Sequence, residues 1–270
     1  MTARTRRSVP ALAVGLACVC GAALAASAED DALVLLRTGH FQVRVGEAID
    51  PDARIYQSEG VPRLLIDAPR LGAPWLVVAG EKVARRLDAA SVAPVADDPD
   101  AVRVGAGSDG TEVPITIEGI HLVFETERGR VVVEPAEPLT GDLEPRTLLA
   151  ALPEYRRGAA AYEPGAGELR LLARVEQPVV VDVFFGSWCP HCEKIVPRII
   201  KLAERLDGSR IAFRFHGLPR KFDEDPLARQ YEIGAVPVVL VSRGPKVLAR
   251  LEGRVLFRPE QALTSVLFGS

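Results

Sequence analysis

Cys189 and Cys192 stand two residues apart in Trp188-Cys189-Pro190-His191-Cys192, after an apolar run from Val179 to Phe185 and at the head of an amphipathic stretch. Thiols at that spacing can close a disulfide across one helical turn. A helix starting there would favour the Cys189 thiolate through unpaired backbone N–H groups and the helix dipole. Redox exchange, metal binding and a loop staple are the three uses open to such a pair. Zinc wants four ligands, and only His191 and His216 are at hand; His191, in the same turn, cannot easily join both thiolates on one tetrahedral ion. A staple over one turn would limit little chain entropy. These arguments favour redox exchange, with no bound metal and no cofactor.

The cysteine count points the same way. Of four cysteines in 270 residues, Cys18 and Cys20 fall in an N-terminal segment that reads as a signal peptide, residues 1–28. Thr2 to Arg7 is its basic region, Val9 to Ala25 its apolar region, and Ala26-Ser27-Ala28 a small-x-small cleavage site. The expectation is an exported protein of the bacterial periplasm, with an uncleaved N-terminal membrane anchor as the alternative. After cleavage Cys189 and Cys192 would be the remaining cysteines, and no later stretch is apolar enough to insert stably in a membrane. The formal net charge of −3 argues against nucleic acid as a partner. With 48% hydrophobic and 26% charged residues, the chain reads as globular, with one or two domains.

The elements that must position the thiols come in two styles. Residues 29–143 read as a β-rich domain of unknown role. Phe41 to Val45 and Val113 to Ile117 alternate apolar and polar residues, and Leu64-Leu65-Ile66 and Trp75 to Val78 are short apolar runs. His121 to Val133 reads as a hairpin turning at Glu127-Arg128-Gly129-Arg130, and Glu81 to Leu87 as a short helix. A small sandwich or barrel is the expected form. His40 and His121 are isolated and read as ordinary surface or core residues. Residues 144–154 read as a linker with a short helical piece near Thr147 to Leu152.

From 155 to 270 strands and helices alternate. Gly158 to Tyr162 is a candidate first strand, Gly167 to Val175 a helix, and Val179 to Phe185 a central strand covered on both faces. After Cys192, Ile195, Ile199, Leu202 and Leu206 recur at helical spacing until Gly208, with Pro197 kinking the helix. Ile211 to Phe215 alternates as a strand. Asp225-Pro226 opens a helix, Val238 to Leu251 forms a hairpin, and Pro259 starts a last helix.

This half resembles a thioredoxin-like domain at several separate positions: the Trp-Cys-Pro-His-Cys at the end of a central strand, Pro197 five residues on, and Gly234-Ala235-Val236-Pro237 before a strand. The resemblance implies an α/β domain, a mixed central sheet with helices on both faces. It also implies a protein disulfide oxidoreductase that exchanges disulfides with cysteine-containing protein substrates and with a redox partner protein. Cys189 would be the exposed attacking thiol and Cys192 the buried resolving one. Pro190 and His191 would tune the couple. Trp188, Val236 and the cis-proline Pro237 would meet the substrate chain. The Pro-His dipeptide is that of DsbA, whose potential is near about −120 mV. Pro237 follows Cys192 by only 45 positions, enough for the compact thioredoxin core alone. The acid that the family carries six residues before the first cysteine is Val183 here; Asp182 should point to the opposite face of the sheet, while Glu193 offers a carboxylate at the helix start. The alternative reading is a client-binding, chaperone-like protein whose β-rich domain binds while the redox pair is secondary.

Overall fold

Alternation of apolar and polar residues becomes strand after strand in the first half of the molecule. A computed structural model describes residues 33–58, 60, 62–105 and 108–269; the segment read as a signal peptide lies outside the described residues. The strands are β1 (Leu33–Thr38), β2 (Phe41–Val45), β3 (Ala48–Ile49), β4 (Arg54–Gln57), β5 (Arg63–Asp67), β6 (Trp75–Val78), β7 (Val83–Leu87), β8 (Val92–Val95), β9 (Asp98–Val104), β10 (Ser108–Pro114), β11 (Thr116–Glu118), β12 (His121–Thr126) and β13 (Gly129–Pro135). One sheet has the order β10-β7-β6-β5-β4-β1-β9-β8 and a second the order β11-β12-β13-β2-β3.

The two sheets face each other. Val43, Val45, Phe124, Val131 and Val133 of the smaller sheet pack on Ile55, Ile66, Trp75, Val77 and Ala84 of the larger. Neighbours in sequence point to opposite faces of a strand, so Tyr56 and Leu65 turn away from that core. They bury instead with Leu35, Leu87, Val102 and Val104, because the larger sheet curls and covers its second face. Each such side chain removed from water contributes about 1.5–3 kcal/mol, offset by the entropy of ordering it.

The second half comprises β14 (Gly141–Leu143), α1 (Pro145–Ala151), α2 (Pro153–Ala160), α3 (Ala166–Leu172), β15 (Val179–Phe185), α4 (Pro190–Arg205), β16 (Ile211–Gly217), α5 (Pro226–Gln230), β17 (Val238–Arg243), β18 (Lys246–Glu252) and α6 (Pro259–Phe268). The sheet order is β14-β16-β15-β17-β18, with β15 parallel to β16 and antiparallel to β17. Val179, Val181, Val183 and Phe185 of β15 bury against Leu148, Tyr155, Leu172, Ile195, Ile199 and Leu263 from five helices. Phe184 faces the other way, onto Ala228 of α5 and its neighbours. Asp182 shares that outward side and pairs with Arg214 of β16 at 2.8 Å.

Four expectations are corrected. Gly158 to Tyr162 is no strand: Pro153 occupies the first turn of α2, and Gly158 lies within it. A Cβ at Gly158 would come 3.0 Å from the Pro197 side chain, so the missing side chain lets α2 pack closely on α4. Glu81 to Leu87 is no helix: Lys82 takes a left-handed φ of 57° at a turn, and strand β7 follows, with Ala84 and Leu87 buried. Val113 to Ile117 spans the end of β10 and β11, because Ile115 between them is not part of either strand and turns into the core. The stretch read as a linker is α1 and the start of α2, with Leu148 and Leu152 in the same core as the cysteines.

The β-rich half is tied to α2 through polar contacts. Arg156 on α2 donates from Nε to Asp100 Oδ2 at 2.9 Å and from Nη1 to the Leu149 carbonyl at 2.7 Å, and Asp100 is only 2% exposed. Arg157 Nη1 donates to the Arg37 carbonyl at 2.9 Å, and the Gly39 N–H donates to Glu154 Oε2 at 3.1 Å. Residues from Leu33 onward accordingly form one compact unit.

Candidate active site

Strand β15 ends at Phe185, and Gly186 to Cys189 carry the chain into α4. Cys189 is the N-cap residue of that helix, extended at φ −97°, ψ 122°, and Pro190 takes the first helical position, where no N–H is needed. The helix runs on because Ile195, Ile199 and Leu202 bury one stripe. Pro197 sits inside it, opposite Gly158.

Both thiols are free, and they differ sharply in setting. Cys189 was expected to be exposed, but it is only 6% exposed, because Val236 and Trp188 close over the same core cluster. Its Sγ can donate to the Val236 carbonyl at 3.6 Å. Its pKa is lowered from 9.0 to about 6, chiefly by a hydrogen bond from the Cys192 thiol. The backbone N–H groups of Cys192 and His191 and the charge of His191 add to this, against the cost of burial. Cys192 is fully buried, and its thiol is pushed far up, first by desolvation and then by Cys189. The Gly186 N–H donates to its sulfur at 3.4 Å. One sulfur is therefore a thiolate near neutral pH and the other a stored proton.

The remaining residues singled out from the sequence gather around the pair. Pro190 and His191 are exposed on the first turn of α4. The peptide bond between Val236 and Pro237 is cis, and the Val236 carbonyl faces Cys189. Trp188 is half-buried. Its Nε1 donates to the Leu218 carbonyl at 3.2 Å, its ring stacks on Phe222 at 6.2 Å, and the Arg220 guanidinium lies 5.2 Å from the ring centre. His216 is engaged elsewhere, with Nδ1 2.8 Å from Asp142 and Nε2 3.2 Å from Asp225. Among the described residues no cluster of His, Cys, Asp and Glu suits a metal ion.

His40 and Tyr155 carried no site signal in the sequence, and Glu193 was legible only as a carboxylate at the helix start. His40, in the turn between β1 and β2, brings Nε2 to 3.2 Å from Glu193 Oε2 and 3.4 Å from Glu154 Oε1. Glu193 directly follows Cys192, so a side chain 153 positions away in sequence reaches the first turn of the active-site helix. The contact raises the His40 pKa and lowers that of Glu193, in both cases mainly through the shared hydrogen bond. Tyr155 lies on α2: among the described residues its buried hydroxyl finds no hydrogen-bond partner, and burial, followed by its electrostatic interaction with the two cysteines, holds its proton on. Only spatial proximity identifies His40 and Tyr155 and pairs Glu193 with His40.

A cleft of about 430 Å³ opens beside the motif. The β-rich half supplies Gly39, His40, Phe41 and Gln57 to its lining, and the other half Ser187, Trp188, Pro190 and Arg220. A second cleft of about 500 Å³ shares Pro135, Ala136, Glu137 and Arg220 with it and extends along Gln42 and Arg44.

A cysteine pair at a helix start, with one thiolate stabilised and one thiol buried, on a sheet of this order, defines a thioredoxin-fold redox site. The family model and the thioredoxins similar in sequence agree. The thioredoxin family model matches residues 170–267. The chain is 34% identical over 79 residues to thioredoxin from Chlorobaculum thiosulfatiphilum, covering 29% of this chain and 68% of that one. It is 34% identical over 97 residues to thioredoxin-2 from Saccharomyces cerevisiae, covering 35% and 85%. It spans 46% of the rice chloroplast thioredoxin Y and 44% of the bovine mitochondrial thioredoxin that it also matches. Thioredoxin f2 from Chlamydomonas reinhardtii superposes with a TM-score of 0.27 at 21% identity, over 38% of this chain and 90% of that one. The chain belongs to the thioredoxin-like superfamily, and in general class it is a disulfide oxidoreductase.

Proposed function

We propose that the protein is an exported thiol–disulfide oxidoreductase that exchanges disulfides with protein cysteines through Cys189 and Cys192. The observation that carries this is the asymmetry of the pair, with one pKa lowered to about 6 and the other driven far up. The Cys189 thiolate attacks one sulfur of a client disulfide, forming a mixed disulfide and releasing the first client sulfur as a thiolate. Cys192 then loses its proton and attacks the Cys189 sulfur, closing the Cys189–Cys192 disulfide and releasing the second client thiolate. Two electrons pass to the client; the reverse sequence oxidises a client dithiol. Burial of Cys192 supports the order, since a thiol held protonated does not compete for the first attack. With Cys189 engaged in the mixed disulfide, the Val236 carbonyl becomes available to accept a backbone N–H from the client. Export to the periplasm is proposed from the basic, apolar and small-residue pattern of residues 1–28.

The test is trapping. Cys192→Ser should accumulate a mixed disulfide with a scrambled, disulfide-containing client, resolved on a non-reducing gel, and Cys189→Ser should form none. A mixed disulfide through Cys192 in the second variant would refute the assignment. Client protection against aggregation retained in full by Cys189→Ser would favour the chaperone-like reading. The potential measured in glutathione buffers sets the direction: a value near about −120 mV makes the protein an oxidant, one near about −270 mV a reductase.

A further inference from the structure

The loop that leaves β16 wraps Trp188 on three sides. Leu218 offers its carbonyl to the indole N–H at 3.2 Å, Phe222 stacks on the ring, and Arg220 holds its guanidinium 5.2 Å from the ring centre. The indole is thus fixed at its edge by the same loop that places a cation beside it, one residue before Cys189. Arg220 lines both clefts, and among the described residues it makes no ion pair. The other basic groups nearby are committed: His40 to Glu193 and Glu154, Arg44 to Glu134, and Lys221 to Glu224. Glu137, the other charged group shared by the two clefts, comes from the β-rich half. A positive charge left open beside Trp188, the residue that precedes Cys189, is a receptor for a negative one.

We propose that Arg220 is a specificity-determining residue that receives an acidic side chain flanking the client cysteine, in an extended segment seated in the cleft that the β-rich half closes. The proposal rests on the exchange of disulfides with protein clients proposed above. An arginine lying on an aromatic face keeps its outward N–H groups free for a bidentate carboxylate contact. The site is open to water, so the contact contributes selectivity more than affinity.

The experiment uses the full chain and a set of peptide disulfides identical except for Glu, Gln or Lys beside the cysteine, with the neutral hydroxyethyl disulfide as control. The ratio of kcat/KM for the Glu and Lys peptides is read within each enzyme, so any general loss in a variant cancels. Wild type should prefer Glu by about three- to tenfold at low salt, less at 1 M salt, where screening is short-ranged. Arg220→Gln should bring the ratio near one, Arg220→Lys should keep part of it, and Arg220→Glu should invert it. A wild-type ratio near one, or a ratio that Arg220→Glu leaves unchanged, overturns the proposal while peptide exchange itself stands. Reaction with hydroxyethyl disulfide but with none of the peptides overturns the protein-client reading and this proposal with it.

Discussion

Removing the Cys192 thiol tests the account of Cys189 most directly. The hydrogen bond from Cys192 is the largest cause that lowers the Cys189 pKa from 9.0 to about 6. A hydrogen bond to a charged group contributes about 1.5–3 kcal/mol, or about one to two pKa units. Cys192→Ala should therefore titrate Cys189 near about 7–8, whereas Cys192→Ser keeps a donor and should stay close to wild type. The sign is that of an acid with a depressed pKa. Stabilisation of the reduced protein is fully present above the ordinary thiol value and is lost as pH falls through about 6. At pH 7 only part of the shift counts, since the ratio of the two binding polynomials is about 11, or about 1.4 kcal/mol, which is about 30 mV for a two-electron couple. The assay is the pH dependence of iodoacetamide alkylation at Cys189, followed by mass spectrometry, beside the potential of the wild-type couple. Half-maximal alkylation of wild type above pH 8, or a Cys192→Ala curve that overlays wild type, would refute the reasoning.

His40→Gln should weaken the docking of the β1–β2 turn on α4 by about 1 kcal/mol, kept low because Glu193 is partly open to solvent. The His40 pKa is raised and that of Glu193 lowered, so the loss should be largest between about pH 4.5 and 6.5 and fade as pH rises through the folded His40 value; urea midpoints across pH read this, and a loss that grows toward pH 9 would contradict it. Arg156→Ala leaves Asp100 buried without its guanidinium and should cost about 3 kcal/mol in denaturant unfolding, with Asp100→Asn costing less; equal small losses would place the pair outside the stabilising contacts. Gly217→Ala puts a Cβ 2.2 Å from the Leu139 carbonyl, where the chain crosses from β13 to β14 over β16. It should lower the melting temperature by several degrees, read by circular dichroism, and a neutral outcome would mean that the crossing can move.

Local patterns made much of the second half legible. The Asp225 side chain accepts from the Ala228 N–H at 2.8 Å, as an Asp-Pro pair at a helix start leads one to expect. The β12–β13 hairpin and the termination of α4 before Gly208, whose φ is 77°, likewise depend on a few adjacent residues. The failures came where a distant partner overrode the local pattern. Gly158 to Tyr162 looks like a strand until Pro197 packs on Gly158, and Glu81 to Leu87 looks helical until β6 and β10 pair with it on either side.

The Cys189-x-x-Cys192 spacing, the proline at the first helical position and the apolar stripe of α4 lie within one segment. The sequence by itself therefore determined that two thiols share one turn at a helix start. It could not determine how deep each thiol lies, because burial is a sum over β15, the Val236 loop, α2 and Trp188, which meet only in the folded chain. Tertiary structure alone decided that Cys189 is nearly covered, that His40 reaches Glu193, and that Arg220 stands over Trp188 with no ion pair among the described residues. The physical reason is range: hydrogen bonding and helix geometry act within a turn, whereas desolvation and charge pairing depend on whatever the fold brings alongside.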